Sequence, residues 1–212
     1  MRTWHTAPYR VAYSAKETYQ RLAPIYDLIY GVTLAPGRRR AMARLAPCFG
    51  ESILEIGVGT GLSAVAYPLG CRVMAIDLSA QMIERAQARL ARRGVRHVSL
   101  CRMDAARLAF PDAQFDAVYA PYVMNVVQDP LMVAREMLRV CRPVGRIVLL
   151  NHFDHTDRSH PVGRFFGRVV SHIGVNWHVN LWDFLRDAGL TARSVERVNV
   201  PRVSSVVVCC KR

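Results

Sequence analysis

The residues Glu55-Ile-Gly-Val-Gly-Thr-Gly61 end an apolar run, Ser52-Ile-Leu-Glu-Ile56, and a second apolar run, Val73-Met-Ala-Ile-Asp77, follows at a strand's distance. Glycines at a strand end remove Cβ atoms, so backbone can approach a ligand, and a carboxylate ending the next strand can accept hydrogen bonds from ribose hydroxyls. Asp77 is that carboxylate. The dinucleotide fingerprint G-x-G-x-x-G brings a helix N-terminus onto a pyrophosphate. This chain reads G-x-G-x-G instead, with Glu55 two positions before the first glycine. Such a turn suits a nucleoside that carries an ammonium and a carboxylate rather than phosphates. The bland alternative is a glycine turn in an unrelated α/β protein.

The elements that must position these residues are legible from Ser52 onward. The pattern predicts strand 52–56, a helix near 62–68, strand 71–77, helix 79–93, strands 96–101 and 115–120, helix 129–141 and strand 145–152. Apolar strands alternating with helices imply a parallel sheet covered on both faces. A polar segment (Asp154 to His160), helices near 161–173 and 180–188, and strands 192–200 and 203–210 complete the chain. Before the sheet, Ser14-Ala-Lys-Glu17 is a capping box, Pro24 divides two helices, and Arg38 to Ala46 is a third, closed by Pro47 and Gly50. Ligands bind at the carboxyl ends of strands in such a sheet. Those predicted ends carry the three glycines, Asp77-Leu78-Ser79, Asp104-Ala105, Ala120-Pro-Tyr-Val-Met-Asn125 and Asn151-His-Phe153.

The glycine block with Asp77 resembles the S-adenosylmethionine site of class I methyltransferases. That likeness implies a seven-stranded Rossmann-like α/β sheet with N-terminal helices and a C-terminal β-hairpin that contains an antiparallel strand. Residues 1–50 would form a basic helical lid and 51–212 the cofactor-binding core of one overall domain. Further segments narrow the likeness: Tyr26-Asp-Leu-Ile-Tyr-Gly31 with Gly37-Arg-Arg39, Ile76-Asp-Leu-Ser79, Met103-Asp-Ala105, Tyr122-Val-Met124, and Asn151-His-Phe153. In that order they resemble the soluble bacterial phosphatidylethanolamine N-methyltransferases, over about residues 14 to 153. Pro143-Val-Gly145 departs from the Pro-Gly-Gly turn common there, and the last 50 residues match least.

The resemblance implies roles residue by residue. Tyr26, Glu55, Gly57, Gly59, Gly61, Asp77, Leu78, Met82, Asp104, Ala105 and Pro121 would bind the cofactor, and Arg38, Tyr122, Asn151 and His152 the substrate. Asp77 could also cap the helix after Ser79, Leu78 and Met82 could simply be core, and Asp104 could only begin the Ala105–Leu108 turn. Methyl transfer to an amine is an in-line displacement that needs a dry, aligned pocket more than a strong acid or base. The amine must arrive unprotonated, and His152, Asn151, a tyrosine oxygen or the lipid phosphate through water could take its proton. Aromatic faces suit a methylated ammonium through cation–π attraction of about 0.5–2 kcal/mol. Tyr19, Tyr26, Tyr30 and Tyr122 are the candidates, with Tyr19, Tyr26 and His152 in catalytic roles; a tyrosine stripe is otherwise core, and His152 a satisfied strand-end histidine.

A net charge of +13, almost all arginine, points to a polyanionic surface or to a G+C-rich genome. Arg38-Arg39-Arg40 is the densest cluster. Phe165, Val169 and Ile173 form an apolar stripe, and Arg164, Arg168 and His172 a basic one, as an interfacial helix on anionic lipid requires. The expectation is a monomer in the cytoplasm, held peripherally on the membrane's inner face by helix 161–173 and the basic N-terminal region. No signal-peptide or membrane-spanning pattern occurs, and the six cysteines lack metal-ligand spacing, so no metal is expected. A nucleic-acid methyltransferase would use the same cofactor, but Ala120-Pro-Tyr-Val123 lacks the Asp/Asn-Pro-Pro-Tyr/Phe pattern of base-amine methylation. A quinone-biosynthesis or other small-molecule methyltransferase shares more of the pattern, and a non-catalytic protein that binds S-adenosylmethionine is the third alternative.

Overall fold

The structure, a computed structural model, describes residues 31–155, 179–199 and 203–211. Tyr19, Tyr26, Tyr30 and the helix expected over 161–173 lie outside these residues.

The described elements are α1 (Ala35–Leu45), β1 (Ser52–Ile56), a 3-10 turn (Ala64–Ala66), β2 (Arg72–Asp77), α2 (Ala80–Arg92), β3 (Val98–Arg102), β4 (Phe115–Pro121), α3 (Pro130–Val140), β5 (Cys141–Asn151), α4 (Leu181–Asp187), β6 (Thr191–Val198) and β7 (Ser204–Cys210). The seven strands form one sheet in the order β3-β2-β1-β4-β5-β7-β6. Strands β1 to β5 pair in parallel, and β7 runs antiparallel to both β5 and β6. The expected sheet with its closing antiparallel strand is the observed one.

Each central strand is apolar on both sides because helices cover both faces. Leu54 and Ile56 join the cluster beneath α3 and α4, whereas Ile53 joins the one beneath α1 and α2. The helices begin where the sequence offers caps. Ser79 accepts from the Met82 amide, Asp129 from the Met132 amide at 2.9 Å with Pro130 following, and Asn180 from the amides of Trp182 and Asp183.

Two elements depart from expectation. The helix expected near 62–68 is only the Ala64–Ala66 turn, because Ser63 makes no capping bond and Tyr67 is extended before Pro68. Strand β5 begins at Cys141, directly after α3, where Cys141 pairs with Phe115 before the ladder resumes at Ala117 and Arg146. Pro143, Val144 and Gly145 form the resulting irregularity. A Cβ on Gly145 would stand 2.6 Å from Cys141 Sγ and 2.9 Å from the Asp116 carbonyl, so this glycine is required for close packing.

Candidate functional site

The carboxyl end of β1 is clamped to β2 before it turns away. The amides of Gly57 and Val58 both donate to the Ile76 carbonyl, at 2.8 and 2.9 Å. Gly57, Gly59 and Gly61 then take φ values of +71°, +53° and +81°, a region that side chains disfavour. Their surroundings separate their roles. A Cβ at Gly57 would meet Val123 Cγ2 at 2.3 Å and one at Gly61 would meet Ala86 Cα at 3.2 Å, but at Gly59 no atom lies within 4 Å. The outer glycines permit protein packing; the middle one opens onto space.

Asp77 ties this turn to the neighbouring strand. Its Oδ2 accepts from the Gly59 amide and its Oδ1 from the Ser79 amide, both at 2.9 Å. Burial raises its pKa against the opposing pull of these amides. The capping of α2 falls to Ser79, so the alternative role of Asp77 as cap is not the one observed. Beside it, Leu78 is 65% exposed at the rim, and Met82 is half-buried on the first turn of α2. Asp104 is exposed and accepts from the Ala106 amide at 2.9 Å, forming the turn that was its alternative reading, with Ala105 half-buried inside it. Pro121 ends β4 and is buried.

Glu55 is wholly buried, on the sheet face that also carries its β4 neighbour Tyr119. Neither carboxylate oxygen completes a hydrogen bond of ordinary geometry among the described residues, although the Tyr67 hydroxyl faces the group. Desolvation pushes its pKa up to about 8. A buried, unmatched carboxyl next to a glycine turn suits a ligand that brings a positive charge.

A second polar cluster lies further along the same rim, at the ends of β4 and β5 and the start of β7. Tyr122 follows β4 with φ +57°, and its ring packs on His152, centroids 5.3 Å apart. Asn199 Nδ2 donates to the Tyr122 hydroxyl oxygen at 3.0 Å and to Ser204 Oγ at 2.8 Å, while its Oδ1 accepts from the Gly37 amide at 2.8 Å. His152 Nδ1 lies 2.9 Å from Ser204 Oγ and 3.2 Å from the Val203 carbonyl oxygen. Burial lowers the His152 pKa, which favours the neutral ring, and raises that of Tyr122. Asn151 is buried and donates to Asn125 Oδ1, and Asn125 in turn donates to the His152 carbonyl at 3.1 Å. Arg38 on α1 donates to the Gly31 carbonyl; burial raises the pKa of Tyr119 and Tyr122, and the Arg38 charge offsets only part of that rise. The structure therefore brings Arg38, Tyr122 and His152 to one corner, and makes Asn151 a buried support for the His152 backbone.

Comparison with known proteins gives this geometry a context. A family model described as a methyltransferase domain matches residues 54–149. The chain is 41% identical over 141 residues to a phosphatidylethanolamine N-methyltransferase of Cereibacter sphaeroides, covering 66% of this chain and 68% of that protein. The chain belongs to the class I S-adenosylmethionine-dependent methyltransferases. Its cofactor is S-adenosylmethionine. A demethylmenaquinone methyltransferase of Clavibacter sepedonicus is also 41% identical, over 106 residues that make up 50% of this chain and 42% of that protein. The chain thus spans less than half the length of that relative. Solved structures share the fold at low identity. Geranyl diphosphate C-methyltransferase of Streptomyces coelicolor A3(2) superposes with a TM-score of 0.73 at 16% identity, over 82% of this chain and 75% of that one. The [4+2]-cyclase SpnF superposes equally well, at 0.73 and 18% identity over 92% and 94%. The same architecture serves distinct chemistries, so the fold by itself does not choose a substrate.

The cradle of this methyltransferase fits its cofactor: space over Gly59, a carboxylate at the end of β2, and an unmatched buried Glu55. The sequence reading missed Asn199, Ser204 and Tyr119. Asn199 had one signal, an Asn before Val-Pro between two strands, of the type that tolerates the φ of +67° it adopts. A cavity of about 600 Å3 between α2 and β3, lined by Ile83, Leu90, Val98 and Leu100, lies away from this rim and contains none of the expected site residues.

Proposed function

We propose that this methyltransferase adds methyl groups to the amine of phosphatidylethanolamine, through mono- and dimethyl products towards phosphatidylcholine. The observation that carries the reading is the 41% identity to a protein of that name across 68% of its length. Bound S-adenosylmethionine supplies an electrophilic sulfonium methyl group. Glu55, Gly57, Gly59, Gly61, Asp77, Leu78, Met82, Asp104, Ala105 and Pro121 would hold it on the rim, with Tyr26 closing over it.

The chain's own contribution is to deliver a neutral amine and exclude water. Arg38 suits a phosphodiester, and the Tyr122 ring suits a headgroup that grows more methylated and less able to hydrogen-bond. Tyr19 and Tyr26 would complete an aromatic cage. Attachment would be peripheral, by the basic N-terminal region and the 161–173 segment on anionic lipid at the inner face of the membrane, with the protein a monomer that does not bind nucleic acid. Among the described residues no helix is long and apolar enough to cross a membrane.

A second reading, methylation of a quinone precursor, is favoured by the 41% identity to the demethylmenaquinone enzyme over a shorter span. Incubating purified protein with methyl-labelled S-adenosylmethionine and vesicles of phosphatidylethanolamine with anionic lipid tests both, with demethylmenaquinone and structured RNA in parallel. Label in methylated lipid is the expected result; label only in the quinone or RNA would replace the substrate.

A further inference from the structure

Three side chains buried on the sheet face beneath α1 and α2 carry oxygens that the fold leaves unmatched. Glu55 is near the end of β1, Tyr119 is its neighbour on β4, and Tyr67 follows the 3-10 turn in an extended conformation, its carbonyl 3.1 Å from His97 Nε2. Both Glu55 carboxyl oxygens and both tyrosine hydroxyls are buried, and none of the four completes a hydrogen bond of ordinary geometry. The packing around them is apolar: Ile53 and Ala75 from the strands, Ala41 and Leu45 from α1, Ala86 and Leu90 from α2. Ala75 is also the β2 residue opposite Glu55, so that strand offers the carboxyl no polar side chain. Besides one another, Cys71 acts on Tyr67, and Tyr122, Arg38 and the Ser63 hydroxyl act on Tyr119.

A phenylalanine at 67 or 119 would fill the same space without burying a hydroxyl, so apolar packing does not account for these oxygens. The count of donors and acceptors does. An ionised carboxylate only accepts, with about four lone-pair sites, and each tyrosine hydroxyl has one proton to donate. Two hydroxyls fill half of that capacity, and the remainder suits the N–H groups of an ammonium. The Tyr67 hydroxyl already faces Glu55, and a Ser63 O–H donated to the Tyr119 oxygen leaves the Tyr119 proton for the carboxylate. Burial without a cation favours the protonated carboxyl instead, which has a proton of its own to place. Glu55 lies two residues before the glycine turn, whose middle glycine opens onto space.

We propose that Tyr67 and Tyr119 are positioning residues of the cofactor site, their hydroxyls turning onto the ionised Glu55 carboxylate and holding it for the ammonium at the methionine end of S-adenosylmethionine. When that ammonium arrives, the carboxyl O–H bond breaks, its electron pair stays on the oxygen, and the proton leaves to solvent. The ammonium keeps its own protons. The three side chains thus read the charge of the amino-acid end, while Asp77 and Gly59 serve the nucleoside. The inference rests on the placement of Glu55 in the cofactor site.

The test is calorimetry of the full chain at pH 7, in two buffers of different ionisation enthalpy, with two ligands. S-adenosylhomocysteine carries the ammonium; methylthioadenosine keeps the nucleoside and lacks the amino-acid end. The wild type should release a proton on binding the first and none on binding the second, and Glu55→Gln should abolish the release. Tyr67→Phe and Tyr119→Phe each remove one oxygen and keep the ring. Each should weaken S-adenosylhomocysteine binding on the order of 10-fold and change methylthioadenosine binding by less than about twofold. The second ligand also reports that each variant is folded. Equal losses for both ligands, or no loss for either, would overturn the roles of the tyrosines. Proton release by the wild type with methylthioadenosine, or with neither ligand, would overturn the placement of Glu55 and the proposal with it.

Discussion

Asp77 Oδ2 lies 2.9 Å from the Gly59 amide nitrogen, so the carboxylate that ends β2 and the glycine turn that ends β1 act as one unit. The second oxygen holds the Ser79 amide at the entry to α2. A residue expected to meet ribose hydroxyls thus also shapes the turn above which the nucleoside would lie.

Asp77→Ala should weaken S-adenosylmethionine binding by roughly 10- to 100-fold, the equivalent of about 1.5–3 kcal/mol for a hydrogen bond to a charged group. Calorimetry on the variant checks this. Asp77→Asn should lose less stability than Asp77→Ala, since one oxygen can still accept from Gly59 or Ser79. Unchanged affinity in both variants would contradict the cofactor placement.

The two glycines of the turn should fail differently. Gly57→Ala sets a Cβ 2.3 Å from Val123 Cγ2 at φ +71°, and should lower the unfolding free energy by about 1–3 kcal/mol. Gly59→Ala meets no protein atom within 4 Å and should cost only about 1 kcal/mol of backbone strain while sharply reducing cofactor affinity. Urea unfolding and binding, measured on both, separate packing from ligand contact.

Glu55 predicts a pH dependence with a definite sign. Its carboxyl would ionise near 4.5 in the unfolded chain and near 8 in the folded one, so between those values the folded state binds more protons. The ligand-free protein should therefore lose stability as pH rises from 4.5 through 8, by up to about 1.4 kcal/mol per pH unit. Glu55→Gln should flatten that slope in urea midpoints. Arrival of a cationic ligand beside Glu55 should also release a proton at pH 7, which calorimetry in two buffers of different ionisation enthalpy would detect.

Arg139 should matter to the fold and not to the cofactor. Its guanidinium donates to the Leu108 and Phe110 carbonyls at 2.8 and 2.7 Å and to Glu136 and Asp112 at 2.8 Å, pinning the β3–β4 connection to α3. Arg139→Ala should destabilise by about 1–3 kcal/mol and leave the cofactor dissociation constant within about twofold. A large loss of affinity in a stably folded variant would show that this connection communicates with the rim.

Much of this protein was determined by its sequence alone, because local rules and global fold agree there. The strand period, the caps at Ser79, Asp129 and Asn180, and the glycines before Gly61 each specify backbone within a few residues, and a parallel sheet then puts their ends on one rim. The tertiary structure decided what depends on residues far apart in the chain. The single turn in place of the helix expected near 62–68 is not such a case, for its causes, Ser63 without a capping bond and Tyr67 extended before Pro68, are local. Gly37, Tyr122, His152, Asn199 and Ser204 span most of the chain, and only the sheet order, which sets β7 beside β5 and brings α1 over both, makes them neighbours. Whether Glu55 finds a partner was likewise invisible in its neighbours: burial on a face shared with Tyr67 and Tyr119, rather than spacing, is what leaves its carboxyl unmatched.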